Sequence, residues 1–149
     1  MQLFKSKIII LVFLIGFTFS QKVLIPMDQF QTDHLKAYGI AFWTLKNENE
    51  VDWLLNYRGG SFMINYDGIL ERELIIRGVY YELINASVLT DIFAQIEENN
   101  MDMILLEKLP KIAVYSPPNK QPWDDAVTLA LTYSEIDYEV IFDEEILTD

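Results

Sequence analysis

The stretch KVLIPMDQFQTDHLKAYGIAFWTL, residues 22–45, contains the two patterns from which the fold is predicted. Residues 22–26 form an apolar, β-rich run, and residues 33–45 show the period of a helix. The apolar positions of this helix recur every three or four residues; they are Leu35, Tyr38, Phe42 and Leu45. Thr32 or Asp33 is placed to cap its first turn. The stretch therefore predicts a strand followed by an amphipathic helix.

Strands and helices alternate in the same way through the rest of the sequence. Further strands are predicted at residues 51–57, 61–65, 79–84, 111–115 and 138–142, with residues 103–106 either a strand or a helix tail. Further helices are predicted at residues 67–77, at residues 87–98 and from Pro122 onward. Strand, helix and strand at this spacing are typical of βαβ units. We therefore predict an α/β fold with three layers and a mostly parallel sheet.

The pattern divides the chain into three regions. Residues 1–20 are predicted to be a signal peptide, residues 21–109 an α/β domain, and residues 110–149 the start of a second α/β domain. A parallel strand pair needs cover on both faces, so we expect the second domain to be truncated at Asp149. The alternative is that its βαβ unit completes one sheet with the earlier strands.

Residues 1–20 have the three parts of a secretory signal. Lys5 and Lys7 give a positive start, residues 8–19 are almost continuously apolar, and small residues precede a cut before Gln21. This run is shorter than the roughly 20 apolar residues that cross a bilayer. We therefore expect cleavage, no stable membrane insertion, and a protein in the periplasm or outside the cell.

Charge and cysteine content restrict the function. Without the two lysines of the leader, 9 basic and 23 acidic residues remain, a net charge of −14. Such a chain is a poor partner for nucleic acid, whose affinity comes largely from Lys and Arg on phosphates. The absence of cysteine excludes a cysteine nucleophile, a thiolate metal site and a disulfide from these 149 residues.

Loops that follow parallel strands share one edge of a sheet, where ligands bind. Three loops are candidates, at residues 27–34, 57–61 and 116–123. Arg58, Gly59, Gly60 and Ser61 are the most suggestive, because two glycines let backbone N–H groups face an anion while the arginine adds donors. The sequence therefore predicts binding of a small anionic or amide ligand. The alternative is a tight hairpin between the strands at 51–57 and 61–65.

His34 is the single histidine of the chain, and Asp33 precedes it. Together they are candidates for a general base and its partner, whereas the alternative is a helix cap or a surface residue. The acidic run at residues 143–145 is interpreted as a solvated face, and Trp43, Trp53 and Trp123 as core residues. No metal site and no cofactor are predicted.

Three segments resemble a family of exported bacterial proteins labelled asparagine synthetase B or asparagine synthetase B-like. They are LIPMDQFQTDHLKAYGIAFW at residues 24–43, VDWLLNYRGGSF at residues 51–62 and KIAVYSPPNKQPWDDAVTLALTYSEIDYEVIFDEE at residues 111–145. Members of this family are longer than this chain, which also implies truncation. The segment from Lys111 is similar to the opening of class I glutamine amidotransferase-like domains, which implies a flavodoxin-like C-terminal part with a nucleophile beyond Asp149.

Neither half-reaction of a true asparagine synthetase is carried by these residues. Gln2 stands where the synthetase has its nucleophilic cysteine, and residues 59–61 lack the flanking serine and aspartate of its SGGxDS loop. We therefore predict a periplasmic ligand-binding or regulatory module, the front part of a longer amidotransferase-like protein. The alternatives are an exported hydrolase of amides or glycosyl amines with His34 as its base, and an interaction subunit that uses its acidic surface.

Overall fold

The computed structural model describes residues 21–115 and 125–142. The predicted signal peptide, the candidate loop at residues 116–123 and the acidic run at residues 143–145 lie outside these residues. The strands are β1 (Lys22–Ile25), β2 (Val51–Leu55), β3 (Ser61–Asn65), β4 (Glu82–Ile84), β5 (Asp102–Leu106), β6 (Ala113–Tyr115) and β7 (Glu139–Ile141). The helices are α1 (His34–Lys46), α2 (Gly68–Arg77), α3 (Ala86–Glu98) and α4 (Ala126–Ser134).

In the described part of the chain, five strands form one sheet in the order β4-β1-β3-β2-β5, and β6 and β7 form a separate pair. Every neighbouring pair in the five-stranded sheet is antiparallel. In the interior strand β1, Leu24 lies opposite Met63 on one side and Glu82 on the other. Only β6 and β7 are parallel, with Val114 opposite Val140.

The prediction of a mostly parallel sheet is therefore wrong, and the cause lies in the connections. Strands β1 and β2 run in the same direction, as do β3 and β4, so α1 and α2 each connect two strands of equal direction. However, β3 lies between β1 and β2, and β1 lies between β3 and β4. The first four strands and two helices thus form the split βαβ arrangement that ferredoxin-like folds use. Local patterns predict a crossover but not the strand that it skips.

Helices cover both faces of the main sheet, and the strands bury residues on alternate sides as their geometry requires. Val23 and Ile25 pack in a core with residues of α1 and α2. Leu24, between them, packs in a second core with residues of α3, among them Ile92 and Ile96. Residues 23–25 of β1 are therefore buried on both faces of the sheet, which is why this run is continuously apolar.

Helix α4 and the strands beside it pack on the outside of α1. Gly39 of α1 is the point of closest approach, because a Cβ built there would lie 1.9 Å from the carbonyl oxygen of Ser134. The Nζ atom of Lys36 lies 2.6 Å from Glu135, and the Tyr133 hydroxyl donates to Asp33. The close contact between the two helices and these two polar contacts thus hold α4 against α1.

Several helices begin or end at the capping residues that the sequence predicts. The Asp33 side chain caps α1 by accepting from the backbone N–H of Lys36, and Gly78 ends α2 in the left-handed conformation with φ 69°. Helix α3 is capped by Asn85, two residues before the predicted Ser87. The predicted inward face of α1 is partly wrong, because Leu35 and Tyr38 are exposed. No helix in residues 21–115 and 125–142 is both long and apolar enough to span a membrane.

Candidate functional site

Arg58 lies in the short turn between β2 and β3, and its guanidinium contacts two carboxylates. Its Nε atom donates to Asp28 at 2.7 Å, and its Nη1 atom donates to both oxygens of Glu82 at 2.9 and 3.0 Å. The guanidinium carbon also lies 5.8 Å from the centre of the Phe30 ring. Two acidic partners already neutralise this cation, so the arrangement is that of an internal ion pair.

These partners change the pKa values of the groups involved. Partial burial raises the pKa of the Asp28 carboxyl, but the hydrogen bond and charge of Arg58 outweigh it and hold that pKa below its usual range. Burial likewise opposes the charged form of Arg58, and the bonds to Asp28 and Glu82 raise its pKa nonetheless. Both groups are therefore charged at neutral pH.

The neighbouring residues of the turn use their polar groups within the protein. Gly59 has φ 85°, and a Cβ there would lie 2.4 Å from the carbonyl oxygen of Met27. The N–H of Gly60 donates to Tyr57, while its carbonyl accepts from the indole of Trp53 at 3.1 Å. Ser61 is fully buried, and its hydroxyl donates to the Tyr57 carbonyl at 3.0 Å. These contacts show how the turn joins the two strands.

His34 and Asp33 lie at the first turn of α1, beside the same loop. The Nε2 atom of His34 lies 3.1 Å from the Met27 carbonyl oxygen, and the Met27 N–H donates to the carbonyl of Arg58. Partial burial raises the pKa of Asp33, but the Tyr133 hydroxyl, the Lys36 N–H and nearby charges lower it overall. The structure thus brings His34 and the Arg58 turn together through Met27, with both making structural contacts there.

A cleft of about 340 Å³ opens at the end of the main sheet that lies opposite the Arg58 turn. Two loops form it, the one from α1 to β2 and the one from β3 to α2. Its lining is Trp43, Thr44, Glu48, Asn49, Glu50, Ile64, Asn65, Tyr66, Asp67 and Leu70, and we call it the acidic cleft. Thr44, Ile64 and Leu70 are buried, whereas the three carboxylates are exposed. The cleft therefore has a mostly polar lining and an acidic mouth, with buried side chains beneath it.

Local bonds fix the shape of the acidic cleft. The Asp67 side chain caps α2 by accepting from the N–H of Ile69 at 3.1 Å, and the Tyr66 hydroxyl donates to Glu71 at 2.8 Å. The Thr44 hydroxyl donates a hydrogen bond to the Ile40 carbonyl. The bond to Glu71 raises the pKa of Tyr66, so the phenol is neutral at physiological pH.

This arrangement suits a small ligand that carries a positive charge. Carboxylates attract a cation and accept its hydrogen bonds, and aromatic rings such as those of Trp43 and Tyr66 favour a cation near their faces. A metal ion is a weaker candidate, because no group of three or more His, Cys, Asp or Glu side chains in the described residues is placed to bind one.

A second cavity, of about 260 Å³, lies between the main sheet, α1 and the unit that contains α4. Its lining consists of apolar and aromatic residues: Tyr38, Ala41, Phe42, Leu45, Trp53, Phe62, Leu106, Pro110, Ile112 and Ile136. Ligand sites generally add a few placed polar groups that fix orientation. The acidic cleft has such groups, and this cavity lacks charged ones.

The acidic cleft is not among the sites predicted from the sequence. The signals were present in NENE at residues 47–50 and in NYD at residues 65–67. Each reads as an ordinary polar loop by itself. Their proximity follows from the antiparallel order, because β3 ends at the edge where β2 begins.

Comparisons with protein-family models, with curated proteins and with solved structures gave no match to this chain. The resemblance to exported asparagine synthetase B-like proteins therefore stays a prediction.

Proposed function

We infer that this chain is a ligand-binding module of an exported protein, and that its ligand is a small molecule with a primary amine or similar cation. The observation that carries this proposal is the acidic cleft of about 340 Å³, which has three exposed carboxylates and a mostly polar lining. This volume is at the lower end of the range usual for small-molecule sites.

The charges favour a cationic ligand in the acidic cleft over an anionic ligand at Arg58. An anion approaching Arg58 meets the carboxylates of Asp28 and Glu82, which lie within 3.0 Å of the guanidinium. A cation approaching the acidic cleft meets Glu48, Glu50 and Asp67 at its mouth. The negative net charge of the chain further raises the local concentration of cations.

The cleft also offers a reason for selectivity. An amine loses hydration on entry, and this cost is offset when carboxylates accept its hydrogen bonds. The apolar remainder of the ligand would contact the rings of Trp43 and Tyr66, which line the cleft and are not buried. An uncharged analogue would keep the apolar contact but leave the carboxylates unpaired.

Benzylamine, benzyl alcohol and benzoate form a matched series that tests this proposal. We expect benzylamine to shift the backbone NMR signals of residues 48–50 and 65–67 on titration, with weaker binding at high salt. Neutralising the mouth with Glu48→Gln, Glu50→Gln and Asp67→Asn should weaken binding by about tenfold or more. Asparagine at position 67 keeps the oxygen that caps α2.

The control removes the same number of charges from α3, with Asp91→Asn, Glu97→Gln and Glu98→Gln. All three side chains are exposed, and this variant should bind benzylamine as the parent protein does. Equal binding of benzyl alcohol, or equal weakening in both variants, would contradict the proposal. Binding of benzoate with shifts around Arg58 would instead support the anion site predicted from the sequence.

A further inference from the structure

Among residues 21–115 and 125–142, strand β5 forms an open and apolar edge of the main sheet. It pairs with β2 on one side, and it is the last strand of the order on the other. Met103, Ile104 and Leu105 expose 47%, 43% and 47% of their surfaces, although one of them faces the opposite side of the sheet from the other two. Both faces of the sheet are therefore only partly covered at this strand.

An edge of this kind is usually protected in a monomer. Charged residues within the strand, a proline or a bulge commonly prevent one sheet from adding to another. The run MILL at residues 103–106 contains no charge and no proline, and five consecutive residues pair regularly with β2. Asp102 is the one charged residue of β5, and it stands at the first position, so the apolar remainder of the strand can still pair with a further strand.

We propose that β5 pairs with β5 of a second copy of this chain, which gives a two-fold symmetric dimer with one continuous sheet. Two antiparallel copies of the same strand related by a two-fold axis must place one residue opposite itself. Each possible register is therefore defined by its central residue, and a few registers cover the whole strand.

Charge selects one register among them. With Leu105 opposite Leu105, Ile104 lies opposite Leu106 and Met103 lies opposite Glu107. Lys108 lies two residues beyond the end of β5, so extension of the strand to this residue in the dimer places it opposite Asp102 of the other copy. The dimer then contains two Asp102–Lys108 pairs at its ends, and its apolar centre consists of residues 104–106 of both copies. Asp102 and Lys108 are both exposed in the single chain, so both are available for this contact. Opposite charges directly across a strand pair are stabilising, and like charges are destabilising.

Charge reversal tests the register directly. In Asp102→Lys every dimer contact between the two positions becomes Lys with Lys, and in Lys108→Asp it becomes Asp with Asp. We expect each variant alone to lose about tenfold or more in dimer affinity. A mixture of the two variants restores both opposite-charge pairs, so it should form heterodimers. Sedimentation velocity and native mass spectrometry of the full chain measure these species.

The variant Glu97→Lys changes the net charge by the same amount as Asp102→Lys, but on the exposed surface of α3. It should dimerise at least as well as the parent protein. A parent protein that stays monomeric at about 100 μM, well above the micromolar affinity expected for a small interface, would overturn the proposal. So would dimers that are insensitive to both reversals, or open-ended oligomers that grow with concentration.

Discussion

The Arg58 guanidinium lies between the carboxylates of Asp28 and Glu82, 2.7 and 2.9 Å away. Its side chain exposes 24% of its surface, as does that of Asp28. The ion pair is therefore partly shielded from water, and each partner stabilises the charged form of the other. This arrangement ties the loop after β1, the turn after β2 and the start of β4 together.

Asp28→Asn should lower the free energy of unfolding by about 1 kcal/mol at pH 7. The pKa of Asp28 is lowered in the folded protein, so its contribution is complete above the ordinary carboxyl pKa. It is lost as the pH falls through the folded-state pKa. The difference between the two proteins should therefore shrink towards pH 3, as measured by urea unfolding at several pH values.

Asp91→Asn is the matched control, because Asp91 is an exposed carboxyl on α3. It should change stability by less than about 0.5 kcal/mol at any pH. An effect of Asp28→Asn that is equally large at pH 7 and pH 3 would show that the side chain acts through packing.

Gly59 and Gly78 separate the cost of backbone strain from the cost of a steric clash. Both have positive φ, 85° and 69°, but a Cβ at Gly59 lies 2.4 Å from the Met27 carbonyl whereas one at Gly78 meets nothing within 4 Å. Gly78→Ala should cost about 1 kcal/mol of stability, and Gly59→Ala should cost at least about 2 kcal/mol. Thermal unfolding of both variants measures the difference, and equal losses would mean that the turn relaxes freely.

The sequence identified Arg58 and its neighbours as unusual, but it did not predict what surrounds them. Asp28 is 30 residues away and Glu82 is 24 residues away. No local pattern connects positions so far apart. The sequence predicts that the two glycines bind an anion. In the structure Gly59 lies against the Met27 carbonyl, and the Gly60 carbonyl accepts a hydrogen bond from the Trp53 indole.

At the scale of helices and strands, the contact between α1 and α4 depends on Gly39. Alanine there should make α1 itself more stable, by about 1 kcal/mol of helix propensity. The new Cβ would also meet the Ser134 carbonyl at 1.9 Å, so α4 must move away. We expect hydrogen exchange to show lost protection in α4, while β1 and β3 keep theirs.

Gly68→Ala provides the comparison, because a Cβ at this helix position meets nothing within 4 Å. It should leave the protection of α4 unchanged. If Gly39→Ala raised overall stability without exposing α4, the close approach of the two helices would not be important for packing.

Element positions are the part of the fold that the sequence predicted best. Helix starts and stops depend on nearby residues such as Asp33, Asp67 and Gly78, and these act as local pattern rules expect. Which face of a helix is buried depends on what packs against it. This explains why Leu35 and Tyr38 were assigned to the core and yet are exposed.

At the scale of the whole molecule, strand order decided both the fold and the candidate site. A parallel sheet would place the loops after β1, β2 and β3 at one edge. In the antiparallel sheet the loop after β3 lies at the other edge, beside the loop that enters β2. The acidic cleft exists because β3 runs antiparallel to β2. A prediction based on parallel strands therefore places the candidate site at the other end of the sheet.

The same strand order has a consequence for how the chain folds. In the main sheet, β2 and β3 are the only consecutive strands that pair, whereas Lys22 must find Asn65 and Ile84, and Val51 must find Leu106. Each distant pairing requires closure of a long loop, which costs entropy before any contact forms. Contacts at such sequence separation slow folding. The β2–β3 hairpin is therefore the natural nucleus, and β1 gains its full set of partners only after synthesis has passed β4.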